Sequence, residues 1–292
     1  MENFGKVLKR VLKARGMSQK DLACDKISKQ AISLYIRGKR EPSSRTFCEL
    51  VKRVGSTLEE FYYEMNDYEL EEFNSILEEA KRLYYEKDIL ELKRLLKEEQ
   101  ERVDSCEYRQ DFTCLMIKNT ISRIDADTSL TDAEKTKIVD YLSNTTHWGY
   151  YELSLFNNTV ESFDSSSLAI LSEELILRTE FYNEIPTNKS LIVQTIINVM
   201  LILVCHNEFD VVIKLKTEIE DLLDDDDILF RTLLLFIMGM LELSMGINID
   251  EAKKKAMDAI SVFKTVGSLR LAENYQDSYD KAIHMLEEME KS

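Results

Sequence analysis

The chain has 292 residues, of which 44% are hydrophobic and 32% charged, and 54 Asp+Glu against 38 Lys+Arg give a formal charge of −16. Eight glycines and two prolines leave few turn or strand signals, so an all-α fold is expected, long enough for a small domain and a larger one. Residues 1–66 carry 14 Lys+Arg against 8 Asp+Glu and the remainder 24 against 46, so a basic module leads an acidic body that would repel a polyanion rather than wrap it.

The first helix is expected over Asn3–Ala14. Phe4, Val7, Leu8, Val11 and Leu12 recur at helical spacing and form a buried stripe, with Lys6, Lys9, Arg10 and Lys13 around it. Gly16 ends it. Ser18 caps a short helix, Gln19–Cys24, and a tight turn, Asp25–Lys26–Ile27, leads to Ser28. Ser28 caps a further helix that runs to Arg37 and stops at Gly38, where positive φ is expected. In that helix Ala31, Ile32 and Tyr35 share one face, while Lys29, Gln30, Ser33 and Arg37 turn towards the other. Two short helices with a donor-rich second one suit the major groove of DNA. Pro42 and Ser43-Ser44 open a fourth helix, Arg45–Val54, and Ser56 with Glu59 marks the start of a fifth carrying Leu58, Phe61 and Tyr62.

On Ser18-Gln19, Leu22-Ala23, Ile32 and Arg37-Gly38-Lys39, this stretch resembles the helix-turn-helix of phage-repressor-like (Cro/cI-type) DNA-binding domains. Its turn is one residue shorter than usual and lacks the customary glycine. Ile36 stands where relatives often carry an acid that pairs with a first-helix arginine, so Arg10 is expected to be free for phosphate. Lys29, Gln30 and Ser33 are the candidates for base edges, since Gln pairs with adenine and Lys donates to guanine, and Ser28 at the helix start belongs to the DNA-binding set. Arg10, Gln19, Arg37, Lys39 and Arg40 complete the DNA-binding set, mostly as phosphate contacts, which fix position without reading sequence. Leu34 either meets a thymine methyl or packs on a neighbouring helix.

The expected boundary is Asn66-Asp67, giving a helix-turn-helix domain at 1–66 and a helical-repeat sensor and dimerisation domain at 67–292. Helices are expected near 68–86, 89–103, 106–125, 131–144, 149–162, 165–184, 189–206, 209–223, 227–245, 250–266 and 269–290. Taken in pairs they make helical hairpins of the length found in helical-pair repeats, although the tetratricopeptide signature residues are absent. A solenoid with a concave inner surface is expected; a globular bundle is the alternative.

Trp148-Gly149-Tyr150-Tyr151-Glu152-Leu153, followed by Leu155-Phe156 and Asn158, resembles the W-G-Y-Y-E-L-x-L-F-x-N stretch of the Rgg/GadR/MutR family of Gram-positive transcriptional regulators. Ile27-Ser28-Lys29, Ile32-Ser33 and Arg37-Gly38 match the same family, shortened turn included. The resemblance covers essentially the whole chain. It implies a repressor-like domain followed by tetratricopeptide-like repeats, a homodimer on two DNA half-sites, and in many members control by a short hydrophobic signalling peptide. The concave face would hold such a peptide through some of Trp148, Tyr151, Arg178, Asn198 and Arg231, which supply aromatic area, an amide clamp and a carboxylate partner. Each has a structural alternative: a core plug for Trp148, a satisfied core amide for Asn198, and ion pairs for Arg178 and Arg231. The last helix, with Ile283, Leu286 and Met289, is a candidate for part of the dimer interface.

Five cysteines (24, 48, 106, 114 and 205) form no CxxC pair and read as reduced thiols. The run Leu191–Cys205 is too short and too interrupted for a membrane span and is expected to be a buried helix. MENFGKVLKR has no apolar core for a signal peptide, so the protein is expected in the cytoplasm without membrane contact. His147, His206 and His284 have no acid or metal spacing around them, and no glycine-rich phosphate loop occurs, so no enzyme, metal or cofactor is expected. A peptide-independent regulator, whose repeats serve dimerisation or protein–protein interaction, is the competing reading.

Overall fold

The computed structural model describes residues 2–103 and 110–289; Cys106 and the side chains of Leu286 and Met289 lie outside the described residues. The described chain is all α-helical, with one isolated backbone bridge and no strand among these residues. It divides into two compact units, Met1–Glu86 and Lys87–Ser292. The helix Glu72–Glu86 therefore groups with the first unit, beyond the expected joint at Asn66-Asp67.

In the first unit, α1 (Phe4–Ala14), α2 (Gln19–Leu22), α3 (Lys29–Ile36), α4 (Ser44–Arg53) and α5 (Leu58–Met65) are followed by α6 (Glu72–Glu86). The apolar stripe of α1 is buried as its spacing requires, with Val7 and Leu8 wholly inaccessible. Phe4, Phe47 and Phe61 join α1, α4 and α5 as a triad with ring centroids 5.4–5.6 Å apart. Such aromatic pairs add about 0.5–1.5 kcal/mol each beyond their burial. Thr57 rather than Ser56 caps α5, its hydroxyl accepting from Glu60 N at 3.0 Å while the Glu60 carboxylate accepts from Thr57 N at 2.9 Å.

The second unit comprises α7 (Ile89–Val103), α8 (Gln110–Ser122), α9 (Asp132–Asn144), α10 (Tyr150–Thr159), α11 (Ser165–Thr179), α12 (Pro186–Cys205), α13 (Phe209–Leu222), α14 (Ile228–Ser244), α15 (Ile249–Thr265) and α16 (Leu269–Met289). Helices α8, α10, α12, α14 and α16 pack in succession and form one layer; α9, α11 and α13 form a second layer behind it. This is the helical-repeat arrangement expected from the pairing of helices. Helix α12 is the one described helix long and apolar enough to cross a membrane. It packs against α10, α11, α13 and α14, so most of its apolar surface goes into the core. Cys114 on α8 is buried, and burial pushes its thiol up to about 11, which keeps it protonated and unreactive at neutral pH.

Helices α14 and α15 pack most closely. A Cβ at Gly239 would lie 2.8 Å from both Ala252 O and Ala256 N, and Ala252, Ala256 and Ala259 are wholly buried on the facing helix. Backbone atoms cannot yield as a side chain can. Gly239→Ala should therefore cost about 1–3 kcal/mol through overpacking, read as a lower midpoint in urea denaturation; an unchanged midpoint would refute the close contact.

Candidate nucleic-acid interface and the amide-lined helical face

The basic surface of the first unit is built around α3. Ser28 caps it, its hydroxyl accepting from Ala31 N at 3.2 Å. Ile32 and Tyr35 are buried, so Lys29, Gln30 and Arg37 are turned outward and exposed, with Ser33 half-buried between them. Lys39 and Arg40 continue the exposed basic run. Arg37 is the C-cap residue, and its Nε donates to Ser33 O at 3.1 Å, which holds the guanidinium against its own helix. Leu34 is half-buried.

Two helices hold α3 in place. Gly5 lets α1 cross it closely: a Cβ there would stand 2.0 Å from Tyr35 O. The turn from α2 is closed by reciprocal backbone bonds, Cys24 N to Ile27 O and Ile27 N to Cys24 O, each 3.0 Å. Those bonds do for the shortened turn what a glycine does in a longer one.

Arg10 is not free. Its Nη1 donates to Glu2 at 2.6 Å, its Nη2 to Glu64 O at 2.8 Å, and its guanidinium lies 5.6 Å from the Tyr68 ring centroid. The hydrogen bond from Arg10 to Glu2 raises the already high Arg10 pKa. The acid absent at Ile36 is supplied from the N-terminus and from α5, and the expected role of Arg10 as a free phosphate contact is corrected accordingly. Gln19 is half-buried at the start of α2, two residues from Asp21. Hydrogen bonds from the Ser18 side chain, then from its backbone, lower the pKa of Asp21. That carboxylate puts negative charge beside the place where Gln19 would meet a phosphate.

In the second unit the five residues expected to hold a ligand do not come together. Trp148 is wholly buried, its Nε1 donating to Leu142 O at 3.0 Å and its backbone N to Arg178 O at 2.9 Å. Tyr151 is buried beside Tyr141, edge to face at 6.5 Å. Arg178, on α11 in the rear layer, pairs with Glu174 and donates to Thr145 O. The buried Glu152 accepts from Gly149 N at 3.0 Å and from Tyr141 Oη at 2.6 Å. The W-G-Y-Y-E stretch thus clasps the turn between α9 and α10 to α11. Arg231 caps α13 instead of a ligand, its Nε donating to Asp224 O at 2.9 Å and Nη2 to Leu223 O at 3.1 Å. As ligand contacts, Trp148, Tyr151, Arg178 and Arg231 are corrected to helix-end and core roles.

Asn198 is half-buried, with its amide on the accessible face of α12. Along α12, Leu191, Gln194, Asn198, Leu201 and Cys205 make the stripe left accessible once α10, α14, α11 and α13 have packed. Across it runs a chain of amides: Gln194 Nε2 donates to Asn198 Oδ1 at 3.1 Å, and Asn198 Nδ2 to Asn157 Oδ1 on α10 at 2.9 Å. On α14 the residues at matching spacing include Ile228, Leu235 and Met238, with Met245 as its C-cap, all at least partly exposed. Amides flanked by apolar rows can hold an extended peptide, whose backbone needs paired donors and acceptors while its side chains need apolar area. Asn157 and Gln194 were not among the expected ligand contacts, although Gln194 and Asn198 are a polar i, i+4 pair within the largely apolar run Leu191–Cys205. Separately, a cleft of about 680 Å³ opens between α8 and α9, lined by Phe112, Lys137, Asp140, Tyr141 and Asn144 among others; none of the five residues is in its lining.

Comparison with known proteins follows the same division. The family model of the HTH-type transcriptional regulator Rgg, C-terminal domain, matches residues 93–277, and a helix-turn-helix model matches 8–61. Among solved structures, the Streptococcus dysgalactiae SHP pheromone receptor Rgg2 is 28% identical, with TM-score 0.83, over 95% of this chain and 99% of that one. A transcriptional regulator from Listeria monocytogenes EGD-e, so described provisionally, shares 18% identity at TM-score 0.83 over 98% and 99%. The PrgX/cCF10 complex shares the fold at 12% identity and TM-score 0.73, over 97% and 93%.

Trp148→Phe tests the clasp. Phenylalanine fills most of the volume but cannot donate to Leu142 O, so stability should fall by about 1–3 kcal/mol in chemical denaturation. Stability equal to wild type would show that the indole N–H does not hold the turn.

Proposed function

The chain belongs to the Rgg family of HTH-type transcriptional regulators, and from that membership we propose a sequence-specific regulator whose helical unit senses a short hydrophobic peptide. Residues 1–66 bind double-stranded DNA; 67–292 sense the peptide and hold a two-fold dimer on two half-sites about one or two DNA turns apart. The protein works in the cytoplasm, without membrane contact and without catalysing a reaction. Lys29, Gln30 and Ser33 read bases, and Arg37, Lys39 and Arg40 meet phosphates. The observation that carries the sensing role is the amide chain Gln194–Asn198–Asn157 lying across an apolar, accessible helical face. A relative 28% identical over nearly the whole chain is a pheromone receptor, which supports a peptide as the occupant. Peptide binding changes DNA affinity by stabilising one of two states of the dimer more than the other.

The two DNA roles separate by salt. Arg40→Ala should weaken binding to all duplexes alike and lower the slope of log K against log salt by about one. Gln30→Ala should relax selectivity at one base pair, by about 1–3 kcal/mol, in competition binding with single-base variants. Undiminished selectivity in a Lys29→Ala/Gln30→Ala double variant would overturn the assignment of α3 as the reading helix.

For the sensor, the expected result is thermal stabilisation by one or more members of a library of short hydrophobic peptides. At a hundred-fold excess over Kd this amounts to about 2.7 kcal/mol. Asn198→Ala should diminish that response while peptide-free DNA binding is retained. A wild-type protein stabilised by no peptide, yet still selective for DNA, would favour the peptide-independent regulator.

A further inference from the structure

The six residues between α2 and α3, Ala23 to Ser28, hold no glycine, and α2 itself is only four residues long. A helix that short bonds few of its own carbonyls internally, so its end must be held from outside. Ala23 N reaches Lys20 O at 3.2 Å, and the chain leaves at once in extended conformation, with Ala23 at φ −66° and ψ 145°. The carbonyls of Leu22 and Ala23 are taken by a residue 31 and 30 positions away. Arg53, the last residue of α4, donates from Nε to Leu22 O at 2.9 Å and from Nη2 to Ala23 O at 3.2 Å. Its third nitrogen lies 3.7 Å from Glu49, one turn back along α4. The guanidinium is a planar fork whose donors match two neighbouring acceptors, which an ammonium cannot do.

The consequence concerns the N-terminal half of α3. Its C-terminal half is anchored by the Gly5–Tyr35 crossing with α1 and by buried Tyr35, and its middle by buried Ile32. The half that bears Lys29 and Gln30 is attached through Ser28 and the reciprocal Cys24–Ile27 bridge, and hence through the end of α2. We propose that Arg53 is a positioning residue for base recognition: by binding Leu22 O and Ala23 O it fixes where α2 ends and the angle at which Lys29 and Gln30 enter the groove. Arg53 acts through α2 and the turn, and touches no base. This rests on the reading of α3 as the recognition helix. It assigns to an arginine outside the helix pair the closing of α2, beside the backbone bonds that close the turn.

The test uses the full-length protein. A duplex is first enriched by wild-type protein from a random-sequence pool. Binding of wild type, Arg53→Met and Arg53→Lys is then measured on that duplex and on the unselected pool, over a range of salt. Measurements are made at a temperature where circular dichroism shows all three fully helical. Met keeps the length and packing of the stem, and Lys keeps the charge without the fork. The expected result is that both variants lose selectivity, with the ratio of selected to unselected affinity falling about ten-fold, the equivalent of one bidentate base contact. Affinity for the unselected pool and the salt slope should stay at wild-type values. A parallel fall on both DNAs, with a slope lowered by about one, would make Arg53 a phosphate contact and overturn the proposal. So would an unchanged ratio in Arg53→Met. A wild-type protein that enriches no sequence would overturn the recognition-helix reading itself, and this proposal with it.

Discussion

Each α-helix leaves its last four carbonyls without intrahelical partners, and that constraint decides where the arginines of this protein go. Sixteen α-helices are described in a chain with eight glycines, and five of those glycines take positive φ at or just beyond a helix end. The remaining ends need other donors. Arg53 closes α2, Arg231 closes α13, and Trp148 donates to Leu142 O near the end of α9. Arg178 reaches Thr145 O in the same turn. Each of these bonds joins separate elements of the chain, so helix capping and tertiary packing are one process here. Arginine suits it because its charge survives partial burial and its fork reaches two acceptors.

Packing also separates the faces of the second unit. In a two-layer stack, a helix surrounded on three sides keeps one narrow stripe accessible. On α12 that stripe contains Gln194 and Asn198 within an otherwise apolar surface. The amides satisfy one another through Asn157, so each already has a partner while the face is empty and can exchange internal bonds for bonds to a ligand. A face built this way costs little stability to maintain.

The first unit solves a different problem. It must hold a helix rigidly by its inner side while leaving the outer side polar and available. Its core is small, with Phe4, Phe47 and Phe61 at one end and Leu22, Ile32 and Tyr35 between α2, α3 and the rest. Polar contacts therefore supplement burial. Arg10 binds Glu2 and Glu64 and covers Tyr68, so it ties α1 to α5 and to the following turn. That turn places Asp67 and Tyr68 consecutively at positive φ, a conformation costly for non-glycine residues and held by surrounding contacts.

Local spacing alone determined most of the helices. The i, i+3, i+4 stripes, the capping residue Ser28, and the glycines at 16 and 38 place helix ends within a few residues of those observed. These signals act over one or two turns of chain and so survive without knowledge of the fold. The outward placement of Lys29, Gln30 and Arg37 follows from the same periodicity. Tertiary structure decided what the arginines, Trp148 and Tyr151 do, because an arginine that caps a helix looks in sequence like one that binds a ligand. The partner is a backbone carbonyl, and a carbonyl has no residue type by which sequence could announce it. Asn157 met Asn198 for a related reason: two residues forty-one positions apart, on different helices, must be packed together before their amides can bond.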